Sequence, residues 1–273
     1  MSFDINKDTN LCISLSSRPS NFGTTIHNAA YKELGLNYIY KAFRTENLKG
    51  AIEGVRSLGI KGCSVSMPFK EAVIPYLDKL DPLAKSVGAV NTVLNVDGIL
   101  KGFNTDVIAA IKSLKAIGFN KEDRVLLLGA GGVAKAILGA LKMNGANEIY
   151  IANRTEARLE KLKKISDFSA VSWIKRTEFT ADVIINATSV GMHPSKNISP
   201  MPISSLEECK AVIDVVVSPY RSKIIEEAAN MKKITFPGYK LSLEQAAAQF
   251  EIYTEKNAPV EFMERKIEEH LKR

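Results

Sequence analysis

The sequence predicts an α/β protein of two α/β domains, the second a Rossmann-type doubly wound parallel sheet. Three observations predict it. Short apolar runs of strand length alternate with amphipathic stretches along the whole chain, the pattern of sheets covered by helices. A glycine-rich turn stands between an apolar strand and a helix near the middle of the chain. With 273 residues, 45% of them hydrophobic, there is material for two cores.

Leu11–Leu15, Tyr38–Phe43, Gly62–Val65 and Val90–Val96 read as strands, and Thr25–Leu34, Leu48–Leu58 and Pro68–Leu77 as helices. A helix over Thr105–Ile117 ends at Gly118, the residue type favoured just past a helix C-terminus because it adopts positive φ without a Cβ clash. Arg124–Leu128 opens the second α/β run. Strands at Glu148–Ala152, Val183–Asn186 and Ala211–Val216 continue it, and helices at Leu241–Glu255 and Pro259–Leu271 close the chain. The domain change is placed on the Thr105 helix, giving one domain of residues 1–105 with 239–273 and another of 106–238.

A net charge of +7 suits an anionic ligand. The 37 lysines and arginines are interleaved with 30 acids, and the densest runs, Lys161–Lys164 and Arg265–Arg273, read as solvated helix faces. That distribution argues against a nucleic-acid surface, which needs a concentrated basic face. Cys12, Cys63 and Cys209 lie far apart without the spacing of a disulfide framework or a zinc site, which fits a reducing compartment. No stretch approaches the roughly 18 apolar residues of a membrane span, and residues 1–10 lack the basic-then-apolar pattern of a leader, so a cytoplasmic protein is expected. His27, His193 and His270 have no metal-ligand spacing, and no metal is expected.

The run from Val125 to Ala134 is a strand, a turn and a helix start in the context a dinucleotide site requires. Gly129 allows the tight turn, Gly131 lets the backbone approach a pyrophosphate, and Ala134 permits close packing of helix on strand. The helix N-terminus supplies free N–H groups and a positive dipole. After the next strand, where an acid usually holds the ribose hydroxyls of NAD, the chain reads Asn153-Arg154-Thr155-Glu156-Ala157-Arg158. Arginines match a phosphate in geometry and charge, so Arg154 and Arg158 point to the 2′-phosphate of NADP. The plainer alternative is that Thr155 caps a helix whose exposed face carries Arg158. Tyr239 and Phe236, beside Gly238, read equally as stacking near a cofactor or as packing aromatics.

In Gly62-Cys63-Ser64-Val65-Ser66-Met67-Pro68-Phe69-Lys70, a strand leads to a proline suited to a first helical position, which puts Lys70 in a helix's first turn against the macrodipole. Asp106, in Gly102-Phe103-Asn104-Thr105-Asp106, begins another helix. These segments, with Ala89-Val90-Asn91-Thr92, the Gly129 turn, Asn153-Arg154-Thr155, Asn186-Ala187-Thr188-Ser189-Val190-Gly191 and Gly238 through Gln245, resemble the shikimate dehydrogenase family in order and spacing over roughly residues 25 to 260.

The resemblance implies a substrate domain completed by the C-terminal helices, an NADP domain, and a cleft between them. It implies Lys70 and Asp106 as the catalytic pair and Asn91 and Gln245 as substrate ligands, with Ser66 where a substrate-binding threonine is usual. For NADP it implies Gly129, Ala130, Gly131, Gly132, Val133, Asn153, Arg154, Thr155, Arg158, Thr188, Val215 and Gly238. The expected partner is a small anionic hydroxy acid, with no nucleic acid and no membrane, and the chain working as a monomer or homodimer. Oxidising a secondary alcohol requires a group to take the hydroxyl proton as hydride leaves for the nicotinamide, and a lysine oriented by a carboxylate suits that step.

The sequence departs from the family at three places. Asn21 and Gly23 stand where a Ser-x-Ser pair usually grips the substrate carboxylate; Asn21 and Ser64 stay candidate substrate ligands, and Ser16, Ser17, Ser20 and Arg18 are the nearby substitutes. Ser64 replaces an asparagine, and Val217 a tyrosine. At roughly 0.5–1.5 kcal/mol per lost hydrogen bond, three losses weaken transition-state binding by about two orders of magnitude. Shikimate turnover of reduced efficiency is therefore expected. The alternatives are a dehydrogenase for quinate or another small hydroxy acid, and a catalytically idle NADP-binding regulatory protein. Retention of Lys70 and Asp106 speaks against the last, and the arginines against the NAD that often accompanies quinate.

Overall fold

The computed structural model describes residues 5–272. Strand β1 (Asn10–Ser16), helix α1 (Phe22–Glu33), β2 (Tyr38–Arg44), α2 (Leu48–Ser57), β3 (Gly62–Val65), β4 (Lys79–Leu80), α3 (Pro82–Val87), β5 (Thr92–Val96) and β6 (Ile99–Phe103) come first. Then follow α4 (Thr105–Ala116), β7 (Arg124–Leu128), α5 (Gly132–Met143), β8 (Glu148–Ala152), α6 (Leu159–Lys163), β9 (Ser169–Val171), β10 (Val183–Asn186), β11 (Ala211–Asp214), α7 (Lys223–Asn230), β12 (Ile234–Phe236), α8 (Gly238–Thr254) and α9 (Val260–Leu271). The chain divides into two compact units, one of residues 1–105 with 243–273 and one of residues 106–242.

The first unit holds a six-stranded mixed sheet in the order β2-β1-β3-β5-β6-β4. β1 pairs in parallel with β2 and β3, while β5 runs antiparallel to both β3 and β6. Alternation along β1 sends Ile13 and Leu15 into one core with Cys63 and Val65 of β3 and Ile52 and Val55 of α2. The opposite face carries Cys12 and Ser14, level with Gly62 and Ser64, and Ser64 is level with Thr92. Gly62 is required there, because a Cβ would come 2.4 Å from the Tyr253 ring of α8.

β5 and β6 form a hairpin that the sequence reading missed, although Asp97-Gly98 is a strong hairpin signal; both residues have positive φ, 51° and 84°. The expected helix over Pro68–Leu77 is replaced by turns and a short 3₁₀ segment at Ile74–Tyr76. The reason is a competing partner: the Lys70 carbonyl, which a helix would pair with Ile74, accepts from the Val90 N–H at 2.8 Å, and the Ile74 N–H goes to Glu71 instead. Lys70 therefore sits in a turn pinned to the strand-side chain.

The second unit holds an all-parallel sheet in the order β12-β11-β10-β7-β8-β9. Numbered within the unit this is 6-5-4-1-2-3, the doubly wound order whose ligands bind at the carboxyl ends of the strands, where the winding reverses. β7 and β10 are the central strands, and Val125–Leu128 and Val183–Asn186 are fully buried, as helices on both faces require. Among the described residues no helix is long and apolar enough to cross a membrane.

Candidate active site

In the second unit the site starts where β7 ends. Gly129 has φ +107°, and a Cβ there would lie 2.7 Å from the Ala187 carbonyl oxygen. Both facts exclude other residues: the backbone conformation is one that side chains disfavour, and the neighbour that would be struck is main chain. Gly129→Ala is expected to destabilise the protein by roughly 1–3 kcal/mol and to weaken nucleotide binding, as thermal unfolding with and without NADP would show. Gly131 is the N-cap of α5 without a side-chain cap bond, and a Cβ at Gly131 or Gly132 would meet nothing within 4 Å. The amides at the α5 N-terminus are thus left open, which is the arrangement an anion needs.

Gly129, Ala130 and Gly131 line a cavity of about 180 Å³ together with Asn153, Arg154, Arg158 and Thr188. Gly132, Val133, Thr155, Val215 and Gly238 do not line it. Asn153 Nδ2 donates to the Thr155 carbonyl at 2.7 Å, which folds the arginine-bearing turn back on the strand end. Thr155 makes no side-chain cap bond, so the plainer capping role is not what it performs. The open glycine cradle and two exposed arginines fit a 2′-phosphorylated dinucleotide.

Behind this wall is a pair the sequence reading did not single out. Asn186 Nδ2 donates to Asp214 at 2.8 Å and to the Val190 carbonyl at 3.1 Å, while its Oδ1 accepts from the Thr188 hydroxyl at 2.6 Å. Asp214 is fully buried and also accepts from Ser222 and the Val216 N–H. Burial pushes its carboxyl up to about 6, and these hydrogen bonds oppose the rise. The pair fixes the loops after β10 and β11 together. The start of α8 joins them, since a Cβ on Gly238 would fall 2.3 Å from the Val216 carbonyl oxygen.

In the first unit Asn91 is 1% exposed. Its Oδ1 accepts from Thr92 Oγ1 and the Thr105 N–H, each at 2.8 Å, and its Nδ2 donates to Thr105 Oγ1 at 3.0 Å. Its main chain pairs with Val65 and Phe103, so the side chain is held on β3 and β6 alike. Asp106 directly follows Thr105 as the first-turn acid of α4. Lys70 is half-buried, and its carbonyl holds the residue before Asn91. Ser66 is exposed, with its N–H fixed to the Leu15 carbonyl at 3.0 Å.

Gln249, not read from the sequence, ties this face together. Its Nε2 reaches Thr92 Oγ1 at 2.9 Å, Ser64 Oγ at 3.2 Å and the Asn91 carbonyl at 3.3 Å. It lies one helical turn beyond the half-buried Gln245, and that i, i+4 spacing on α8 was the available signal. Asn21 takes no comparable place: it is exposed at the start of α1, where its carbonyl accepts from the Thr25 N–H and its side chain makes no cap bond.

His27 backs this network. It is fully buried, stacks on Tyr40 at 4.5 Å, has Gln249 as its hydrogen-bond partner, and its Nδ1 is unpartnered among the described residues. Burial lowers its pKa from 6.5 to about 4. The fold holds the neutral ring, so this contribution is complete above pH 6.5 and is lost as pH falls towards 4. The shift corresponds to about 3 kcal/mol. His27→Phe, which keeps a ring against Tyr40, is expected to remove this slope; urea midpoints across the same range would check it.

A doubly wound unit with a glycine cradle and an arginine pair, carried in one chain with an α/β unit that presents a lysine and a buried asparagine network, is the build of a nucleotide-dependent oxidoreductase. Comparison with known proteins gives the particular kind. Residues 20–93 match the shikimate dehydrogenase substrate binding domain, and residues 112–193 match shikimate / quinate 5-dehydrogenase. The chain is 42% identical over 252 residues to a shikimate dehydrogenase-like protein of Haemophilus influenzae, covering 92% of each. It is 35% identical to the shikimate dehydrogenase (NADP(+)) of Methanosphaera stadtmanae, covering 92% of this chain and 93% of that one. A solved shikimate 5-dehydrogenase-like protein superposes with a TM-score of 0.92 at 39% identity, covering 97% of this chain and 98% of that one. The chain belongs to the shikimate dehydrogenase family.

Proposed function

We propose that the protein is an NADP-dependent dehydrogenase that interconverts shikimate, or a related cyclic hydroxy acid, with its 3-dehydro ketone. The observation that carries the cofactor is the cavity at the end of β7, where an open glycine turn faces Arg154 and Arg158. Gly129–Gly131 and the α5 N-terminus hold the pyrophosphate, the arginines the 2′-phosphate, and Thr188, Val215 and Gly238 the nicotinamide end. When bound, the nicotinamide supplies the hydride acceptor.

The chain's own residues manage the proton. Lys70 takes the substrate hydroxyl proton as the carbon–hydrogen electron pair departs as hydride, and Asp106 orients the Lys70 amine and the hydroxyl. Asn91 and Gln245, with Ser66 and Ser64, bind the ring hydroxyls or the carboxylate. Two observations support reduced efficiency with shikimate: Asn21 is exposed at the start of α1, and Val217 has no hydroxyl to offer.

The test is the initial rate of NADP and NAD reduction with shikimate, quinate and a panel of small hydroxy acids, at concentrations up to saturation. NADP-linked oxidation of shikimate with a high KM supports the reading. Efficient turnover of quinate or another acid, with shikimate inert, would reassign the substrate while leaving the proton step in place. No turnover with any acid, alongside tight NADP binding, would overturn the enzyme assignment.

A further inference from the structure

We infer that Trp173 is the seat of the adenine ring and sets affinity for both dinucleotides without choosing between them. The inference rests on the NADP reading of the β7 cavity. Trp173 lines that cavity with Arg154, Arg158 and the glycine turn, and among the described residues it is the one aromatic side chain that does so. The cavity's other groups divide by chemistry. The glycines and the α5 N-terminus suit the pyrophosphate, and the arginines suit the 2′-phosphate. An indole matches neither, but its π-face suits a purine, and base-on-aromatic stacking is indifferent to the phosphate that distinguishes the two cofactors.

The indole is also held in place before any ligand arrives. The Arg176 guanidinium lies over it, 4.1 Å from the ring centroid. That guanidinium is itself fixed, donating from Nε to the Pro200 carbonyl at 3.0 Å and from a terminal nitrogen to the Trp173 carbonyl at 2.5 Å. A cation over one face restrains the ring, so the surface left uncovered for the cavity is pre-set, and the ordering cost of binding falls. Sequence reading passed over Val171-Ser172-Trp173-Ile174-Lys175-Arg176 because no nucleotide motif includes it.

The protein has a single tryptophan, which makes the test direct. Adenosine 2′,5′-bisphosphate, which carries the adenine and the 2′-phosphate but no nicotinamide, is titrated into the intact protein while tryptophan emission is followed and heat is measured in parallel. The expected result is saturable quenching that tracks the calorimetric isotherm. Trp173→Ala is expected to weaken this ligand, NADP and NAD alike by roughly 10-fold or more, keeping the NADP-to-NAD ratio, and Trp173→Phe to restore part of the loss. Arg176→Ala is expected to weaken binding less, with emission altered in the free protein.

Binding by calorimetry with unchanged emission, or a Trp173→Phe protein that is folded by circular dichroism and as weak as Trp173→Ala, would overturn the seat. So would a Trp173→Ala loss confined to NADP. Absence of any calorimetric binding in the wild type would instead overturn the NADP reading itself.

Discussion

Replacing Lys70 by alanine is expected to lower turnover by roughly 100- to 10,000-fold while leaving NADP affinity nearly unchanged, the range a positioned proton-transfer group contributes. The separation of the two effects follows from position. Lys70 sits in the turn after β3, in the unit that carries Asn91, and the glycine cradle and arginines belong to the other unit. Because its main-chain carbonyl, and not its side chain, holds the Val90 N–H, truncation to alanine leaves that bond intact. The measurement is kcat and KM for the hydroxy acid together with direct NADP titration. Unchanged turnover in the variant would remove Lys70 from the chemistry, and lost NADP binding would mean that the substitution had disturbed the fold.

Removing both Arg154 and Arg158 is expected to weaken NADP by roughly 10- to 1,000-fold and to leave NAD almost untouched. A hydrogen bond to a charged group is worth about 1.5–3 kcal/mol, and only the 2′-phosphate offers these arginines such a partner. Both side chains are exposed, so solvent screening places the single variants towards the low end. The ratio of kcat/KM for the two cofactors is the decisive quantity. Equal loss for both would show that the arginines grip a group common to the two, such as the pyrophosphate.

Much of the nucleotide half was legible because its determinants are local. Gly129 is needed by a turn that β7 and α5 define on their own, and strand, glycines and helix are contiguous in sequence. The arginines follow at the end of the next strand, where the doubly wound order brings them to the same edge. The β5–β6 hairpin was equally local, and Asp97-Gly98 announced it. By contrast, the helix expected after Pro68 depended on where one carbonyl would find its partner. That partner, Val90, is distant in sequence, and no local pattern around Lys70 points to it.

By itself the sequence determined the α/β class, the glycine cradle and the arginine pair, because periodicity and turn chemistry are read over a few neighbouring residues, whereas Lys70 and Asp106 stood out only through the resemblance to a family. Only the tertiary structure decided that Gln249, backed by His27, knits Ser64, Thr92 and Asn91 into one polar face, that Asp214 clamps the loops after β10 and β11 through Asn186, and that Trp173 joins the cavity with Arg176 laid over it. The Gln249 and Asp214 contacts and the place of Trp173 beside the glycine turn all join residues remote in sequence. A buried polar group must find its partner wherever the packed chain brings one, and the packing, unlike the turn, is a property of the whole fold.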